Sequence, residues 1–72
     1  MSLFSERLKE LRIKNNLTQK QMGEILDCTD RYYQKIEYGN VKSSQDNLIK
    51  LADYFEVSTD YLLGRSDDPT RH

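Results

Sequence analysis

Arg31, Gln34, Lys35 and Tyr38 recur at i, i+3, i+4 and i+7, the spacing that gathers side chains on one face of a helix. Together they offer a guanidinium, a carboxamide, an ammonium and a phenol. Those groups recognise a partner through hydrogen bonds and charge; they are not a nucleophile with its base. On a helix considered alone, such a face is most often simply solvated. Bond-making chemistry is nearly excluded elsewhere in the chain. The one histidine is the terminal His72 and the one cysteine is Cys28, so neither a Ser-His nor a Cys-His pair is expected. One Cys and one His cannot build a zinc site, and no cofactor is implied. Gly23, Gly39 and Gly64 lie far apart, which rules out a phosphate-cradling glycine loop. Acidic residues are plentiful, but a chain this short has little room for a concave pocket around a carboxylate pair.

The elements that must position this face follow from apolar residues recurring at three and four rather than two. A first helix runs from about Phe4 to Lys14 with Phe4, Leu8 and Leu11 as its stripe. Glu6, Arg7, Lys9 and Glu10 lie outside that stripe, and Asn15-Asn16 ends the helix. A second runs from about Gln19 to Leu26. Thr18 caps it, Gln21 completes a capping box, and Leu17 with Met22 makes a hydrophobic staple. A third runs from about Asp30 to Tyr38, with Thr29 as cap, Cys28 and Tyr33 as staple, and Gly39 as stop. A fourth runs from about Ser44 to Phe55, capped by Ser43 with Asp46 at the third position. A fifth, about Thr59 to Leu63, has Ser58 as cap, Val57 and Leu62 as staple, and Gly64 as stop. The predicted architecture is all-α: a five-helix domain over residues 1–64, then a polar, flexible tail over 65–72.

Composition agrees with one small folded unit. Leu, Ile, Val and Phe make up 17 of 72 residues and the net charge is −1, which favours a folded chain with a thin core. A domain of this size carries about 3–5 kcal/mol of stability unless something staples it. One cysteine forms no internal disulfide, no apolar run approaches a membrane span, and no signal peptide is expected, since no basic-then-apolar segment is seen. The expected setting is a reducing one, the cytoplasm, with no membrane partner.

Helices two and three, with only Asp27-Cys28-Thr29 between them and the small Gly23 in the middle of the first, have the spacing of a helix-turn-helix. From Leu8 to Leu63 the chain resembles the helix-turn-helix domain of phage repressors and Cro proteins, the xenobiotic-response-element type with the lambda-repressor-like fold. The resemblance rests on Leu-Lys-Glu-Leu-Arg (8–12), Leu-Thr-Gln (17–19), Tyr-Gln-Lys-Ile-Glu-Tyr-Gly (33–39), Asn-Leu-Ile-Lys-Leu-Ala (47–52) and Val-Ser-Thr-Asp-Tyr-Leu-Leu-Gly (57–64).

The resemblance implies a transcriptional regulator, a repressor, that binds a double-stranded DNA operator as a homodimer with the third helix in the major groove. It implies base reading by Thr29, Asp30, Arg31, Gln34 and Lys35. Arg31 suits guanine, Gln34 adenine and Asp30 the cytosine amine, while Lys35 serves a base or a phosphate. It implies backbone contacts from Thr18, Gln19, Tyr38, Asn40, Lys42, Ser43 and Ser44, the start of the second helix being suited to a phosphate. Arg12 and Glu37 match a pair that bridges the first and third helices. Tyr54, Val57 and Tyr61 match an end through which related proteins pair. No small-molecule ligand is evident.

Four positions depart from the family pattern. Asp27 stands where glycine is usual, Gly23 for alanine, Tyr33 for a branched aliphatic and Cys28 for valine. Charge departs as well. Residues 1–50 carry 9 basic and 7 acidic side chains, and residues 51–72 carry 2 and 5. The acidic end is therefore separate from the mildly basic part, and non-specific DNA affinity is expected to be modest. The competing reading keeps the fold but makes it a protein-interaction module, such as an antitoxin or a partner-binding subunit. A third makes these residues the DNA-binding part of a longer regulator.

Overall fold

The second to fifth helices each begin where a short hydroxyl side chain can accept from a first-turn N–H that has no intrahelical partner. A computed structural model describes residues 3–71; the expectations placed on Met1, Ser2 and His72 lie outside the described residues. The helices are α1 (Leu3–Lys14), α2 (Gln19–Ile25), α3 (Asp30–Glu37), α4 (Gln45–Phe55) and α5 (Thr59–Leu63). Thr18 Oγ1 accepts from the Gln21 N–H at 3.0 Å, and Gln21 Oε1 accepts from the Thr18 N–H at 2.8 Å, a complete capping box. Thr29 and Ser58 accept from Tyr32 and Tyr61 in the same way, both at 3.0 Å. At α4 the cap is Ser44, not Ser43: its hydroxyl accepts from the Asn47 N–H at 3.1 Å. Adjacent serines offer the same chemistry; α4 begins at Gln45, one residue later than expected, so the cap is the serine directly before it.

The helices stop on left-handed residues. Asn16 (φ 58°), Asp27 (φ 56°), Gly39 (φ 80°) and Gly64 (φ 80°) do this with side chains that tolerate the conformation. Asp27 keeps the turn that glycine usually makes. Glu56 (φ 54°, ψ 45°) ends α4 without that tolerance. Glu56→Gly is therefore expected to raise stability by about 0.5–1 kcal/mol, the relief of strain exceeding glycine's entropy in the unfolded chain. Thermal unfolding of the two proteins side by side checks it.

Leu8, Met22, Leu26, Tyr33, Ile36, Leu51, Ala52, Val57 and Leu62 form the core, with both partners of each expected staple in it or packed against it. Gly23 is required by packing rather than by helix propensity. A Cβ there would lie 2.8 Å from the Cys28 carbonyl oxygen and 3.1 Å from the Asp30 nitrogen. The glycine lets the end of the turn sit directly on α2, as the Cys28 N–H bond to the Gly23 carbonyl (2.8 Å) requires.

Arg7 overturns its expected place outside the α1 stripe. It is 9% exposed, and its guanidinium lies 4.2 Å from the centre of the Tyr61 ring. It donates to the carbonyls of Tyr61 and Ser66 and to Asp67. Residues 65–71 make further bonds back to the helices. The Pro69 carbonyl accepts from the Ser58 N–H at 3.0 Å, and Arg71 pairs with Asp53 at 2.7 Å. No helix among the described residues is long and apolar enough to cross a membrane.

Candidate nucleic-acid interface

One side of α3 is spent on the core. Tyr33 and Ile36 are fully buried and the Glu37 carboxylate is 1% exposed. Two partners hold Glu37, and a further bond holds one of them, Arg12, in place. Arg12 Nε donates to Glu37 Oε1 at 2.8 Å, Gln19 Nε2 donates to Glu37 Oε2 at 2.6 Å, and an Arg12 terminal nitrogen donates to the Leu17 carbonyl at 3.0 Å. The carboxylate thus ties α1 and the start of α2 to the last turn of α3 and sets the angle at which α3 is held. The Tyr33 hydroxyl sits beside this cluster, buried and without a hydrogen-bond partner of good geometry among the described residues. Burial first, then Glu37, push its phenol well above the usual range, while Arg12 pulls the other way.

The opposite side of α3 faces solvent. Arg31, Lys35 and Tyr38 are exposed and Gln34 is half-buried. Thr29 and Asp30 are exposed at the helix start, each with one oxygen engaged locally. Thr29 Oγ1 caps Tyr32, and Asp30 Oδ1 accepts from the Arg31 N–H at 2.9 Å. Asp30 keeps its second oxygen, and the Thr29 hydroxyl keeps its proton, for an outside partner.

The expected backbone-contacting residues divide. Thr18 is exposed at the start of α2, but the Gln19 side chain turns inward to Glu37, so this end presents backbone N–H groups of the first turn other than that of Gln21, which Thr18 caps. Asn40, Lys42 and Ser44 are exposed in the α3–α4 connection and Ser43 is half-buried. Among the residues expected at a pairing surface, Tyr54 is exposed and packs edge-on against Phe55 with ring centres 5.2 Å apart. Val57 is 6% exposed and belongs to the core, and Tyr61 is half-buried under Arg7.

Two features escaped the sequence. Tyr32, 42% exposed, lies off the i, i+3, i+4, i+7 series and was absent from the expected site; its signal was a second tyrosine beside Tyr33 that a single core position cannot absorb. The inward turn of Gln19 had no signal in spacing. Cys28, half-buried in the α2–α3 turn, has its thiol pushed up by burial and then by Asp27. Little reactive thiolate forms there.

Comparison with known proteins agrees with this arrangement. The family model described as helix-turn-helix matches residues 8–62. The HTH-type transcriptional regulator ImmR of Bacillus subtilis is 40% identical over 67 residues, covering 93% of this chain and 52% of ImmR. The cryptic phage CTXphi transcriptional repressor RstR of Vibrio cholerae is 40% identical over 62 residues, covering 86% of this chain and 55% of RstR. The chain spans about half to three-fifths of the length of most of the curated relatives it matches, and 29% of the transcriptional activator BcrR of Enterococcus faecalis. Among solved structures, the P22 c2 repressor in complex with a synthetic operator superposes with a TM-score of 0.81 at 24% identity, covering 92% of this chain and all of that one; at that identity the likeness speaks for the lambda-repressor-like fold. A buried Arg12–Glu37 hub beneath a solvent-facing α3, set within a sequence match over most of the chain, places this protein in the phage repressor/Cro-type helix-turn-helix family of DNA-binding transcription regulators.

Proposed function

We propose that the protein is a sequence-specific DNA-binding repressor that acts as a homodimer on a two-fold operator. The observation that carries this is the division of α3. Its inner side is locked by Tyr33, Ile36 and Glu37, and its outer side leaves Arg31 and Lys35 in solvent. A helix with side chains is about 10–12 Å across and the major groove about 12 Å wide, so α3 fits as a recognition helix. Arg31 reads guanine, and Gln34 and Asp30 take adenine or cytosine edges. Thr29 and Lys35 complete the base-reading set. The start of α2 (Thr18, Gln19), Tyr38 and the segment Asn40, Lys42, Ser43 and Ser44 hold the phosphates, with Gln19 acting through its backbone N–H. The names of RstR, a repressor, and of the operator-bound P22 c2 structure support the same reading.

Pairing is supported by size and charge. The longest extent of the molecule is 30 Å, less than the roughly 34 Å between half-sites one turn apart, so one copy covers one half-site. A net charge of −1 gives little phosphate neutralisation, and two linked half-sites compensate for weak ones. Of the three residues at this end, Tyr54 is exposed and available for such a contact, Tyr61 is half-buried, and Val57 lies in the core. Bound at a promoter, the dimer represses by occupancy. Residues 1–64 form the DNA-binding unit, and residues 65–72 follow as a polar extension.

Selection of bound duplexes from a random pool by the full chain at low salt tests this. The expected result is an inverted repeat with half-sites one helical turn apart. A pool that shows no enrichment overturns it and favours the protein-interaction module, a reading that the exposed acids of α4, α5 and residues 65–68 would then serve.

A further inference from the structure

We infer that Tyr32 is a specificity-determining residue whose ring packs on the 5-methyl group of a thymine in the major groove, beside the base read by Arg31. The inference rests on the DNA-binding reading above. Tyr32 sits in the first turn of α3, where the Thr29 hydroxyl holds its backbone N–H. Its neighbour Tyr33 is fully buried in the core, yet Tyr32 stays 42% exposed. On the helix it lies about 100° round from Arg31, and Lys35 follows it at i+3. It therefore borders the outward face on one flank, while Asp30 and Gln34 border the other.

The two flanks differ in chemistry. Asp30 and Gln34 offer hydrogen-bonding edges, whereas Tyr32 offers an apolar surface held by only two side-chain torsions, so ordering it costs little entropy. In the major groove the apolar feature of a base pair is the thymine methyl. A chain with net charge −1 gains little from phosphate attraction, so burying apolar surface in the groove carries more of its affinity. A phosphate contact by the Tyr32 hydroxyl is the competing role for the same side chain, and it would read no base.

The test uses the full chain and the duplex that selection yields. Each thymine is replaced in turn by deoxyuridine, which removes only the 5-methyl group. At one thymine per half-site the swap is expected to weaken binding about fourfold per half-site, the effect of uncovering one methyl group. Tyr32→Ala is expected to be indifferent to that swap, and Tyr32→Phe to keep the full sensitivity. Matching thermal unfolding of the three proteins confirms that each is folded. Silent swaps throughout, or sensitivity that persists in Tyr32→Ala, overturn the inference while leaving the DNA-binding reading intact. A loss on Tyr32→Phe with silent swaps assigns the hydroxyl to a phosphate and overturns it as well. A pool that yields no motif removes the DNA-binding reading, and this inference with it.

Discussion

Glu37→Ala is expected to leave the protein largely unfolded at 25 °C. The carboxylate is 1% exposed and accepts from both Arg12 and Gln19. Its removal strands a guanidinium whose side chain is 15% exposed. Breaking one side of such a buried pair costs about 3–5 kcal/mol. A domain of this length has about that much in total, so the loss consumes the margin. Glu37→Gln keeps the shape and one acceptor oxygen and is expected to fall between. The double change Arg12→Met, Glu37→Leu removes both charges and is expected to recover most of the stability, because the pair's net worth is small even though half of it is ruinous. Urea titration followed by helical circular dichroism separates the three. A Glu37→Ala variant as stable as the parent would mean that the α3 angle is set by apolar packing alone.

Arg7→Ala is expected to cost about 2–3 kcal/mol, the worth of charged hydrogen bonds to two carbonyls together with the stacking on Tyr61. Asp67→Ala should cost almost nothing. The Asp67 side chain is fully exposed, and an exposed carboxylate contributes little to an ion pair. The two variants thus assign the effect to the Tyr61 and Ser66 carbonyls rather than to the salt bridge. Hydrogen exchange gives a local readout. The Ser58 amide, which donates to Pro69, should lose protection in Arg7→Ala as residues 65–71 detach. Equal losses in Arg7→Ala and Asp67→Ala would contradict this division.

These effects mark what the sequence displayed and what it concealed. Caps and stops are local, written within four residues of each helix end, and Thr18, Thr29, Ser58, Asn16 and Gly64 were legible for that reason. Ser43 and Ser44 were not separable, because both carry the same capping group and the first helical residue, Gln45, decides between them. The inward side of α3 was legible through Tyr33 and Ile36 at helical spacing, and the Arg12–Glu37 bridge through resemblance. Arg7 was not. Its acceptors are carbonyls 54 and 59 residues away, and every residue has a carbonyl, so composition leaves no trace of the bond. Gln19 is similar: a polar residue at a helix start reads as outward until the position of Glu37 is known. Gly23 was legible as a small residue that lets the helices approach closely at a cost in helix propensity; the partner of that approach, the Cys28 carbonyl, was not.

The central claim is that the outer face of α3 reads bases, and Arg31 tests it most directly. Its guanidinium is exposed, near the start of a helix whose other side is fixed. The measurement is the binding free energy of the parent and of Arg31→Ala, each on the selected duplex and on a scrambled one at the same salt. A bidentate guanine contact predicts a loss of about 1–3 kcal/mol on the selected duplex, relaxed preference at one base pair, and little change on the scrambled one. Equal losses on both duplexes would reduce Arg31 to a phosphate contact and contradict base reading from this face.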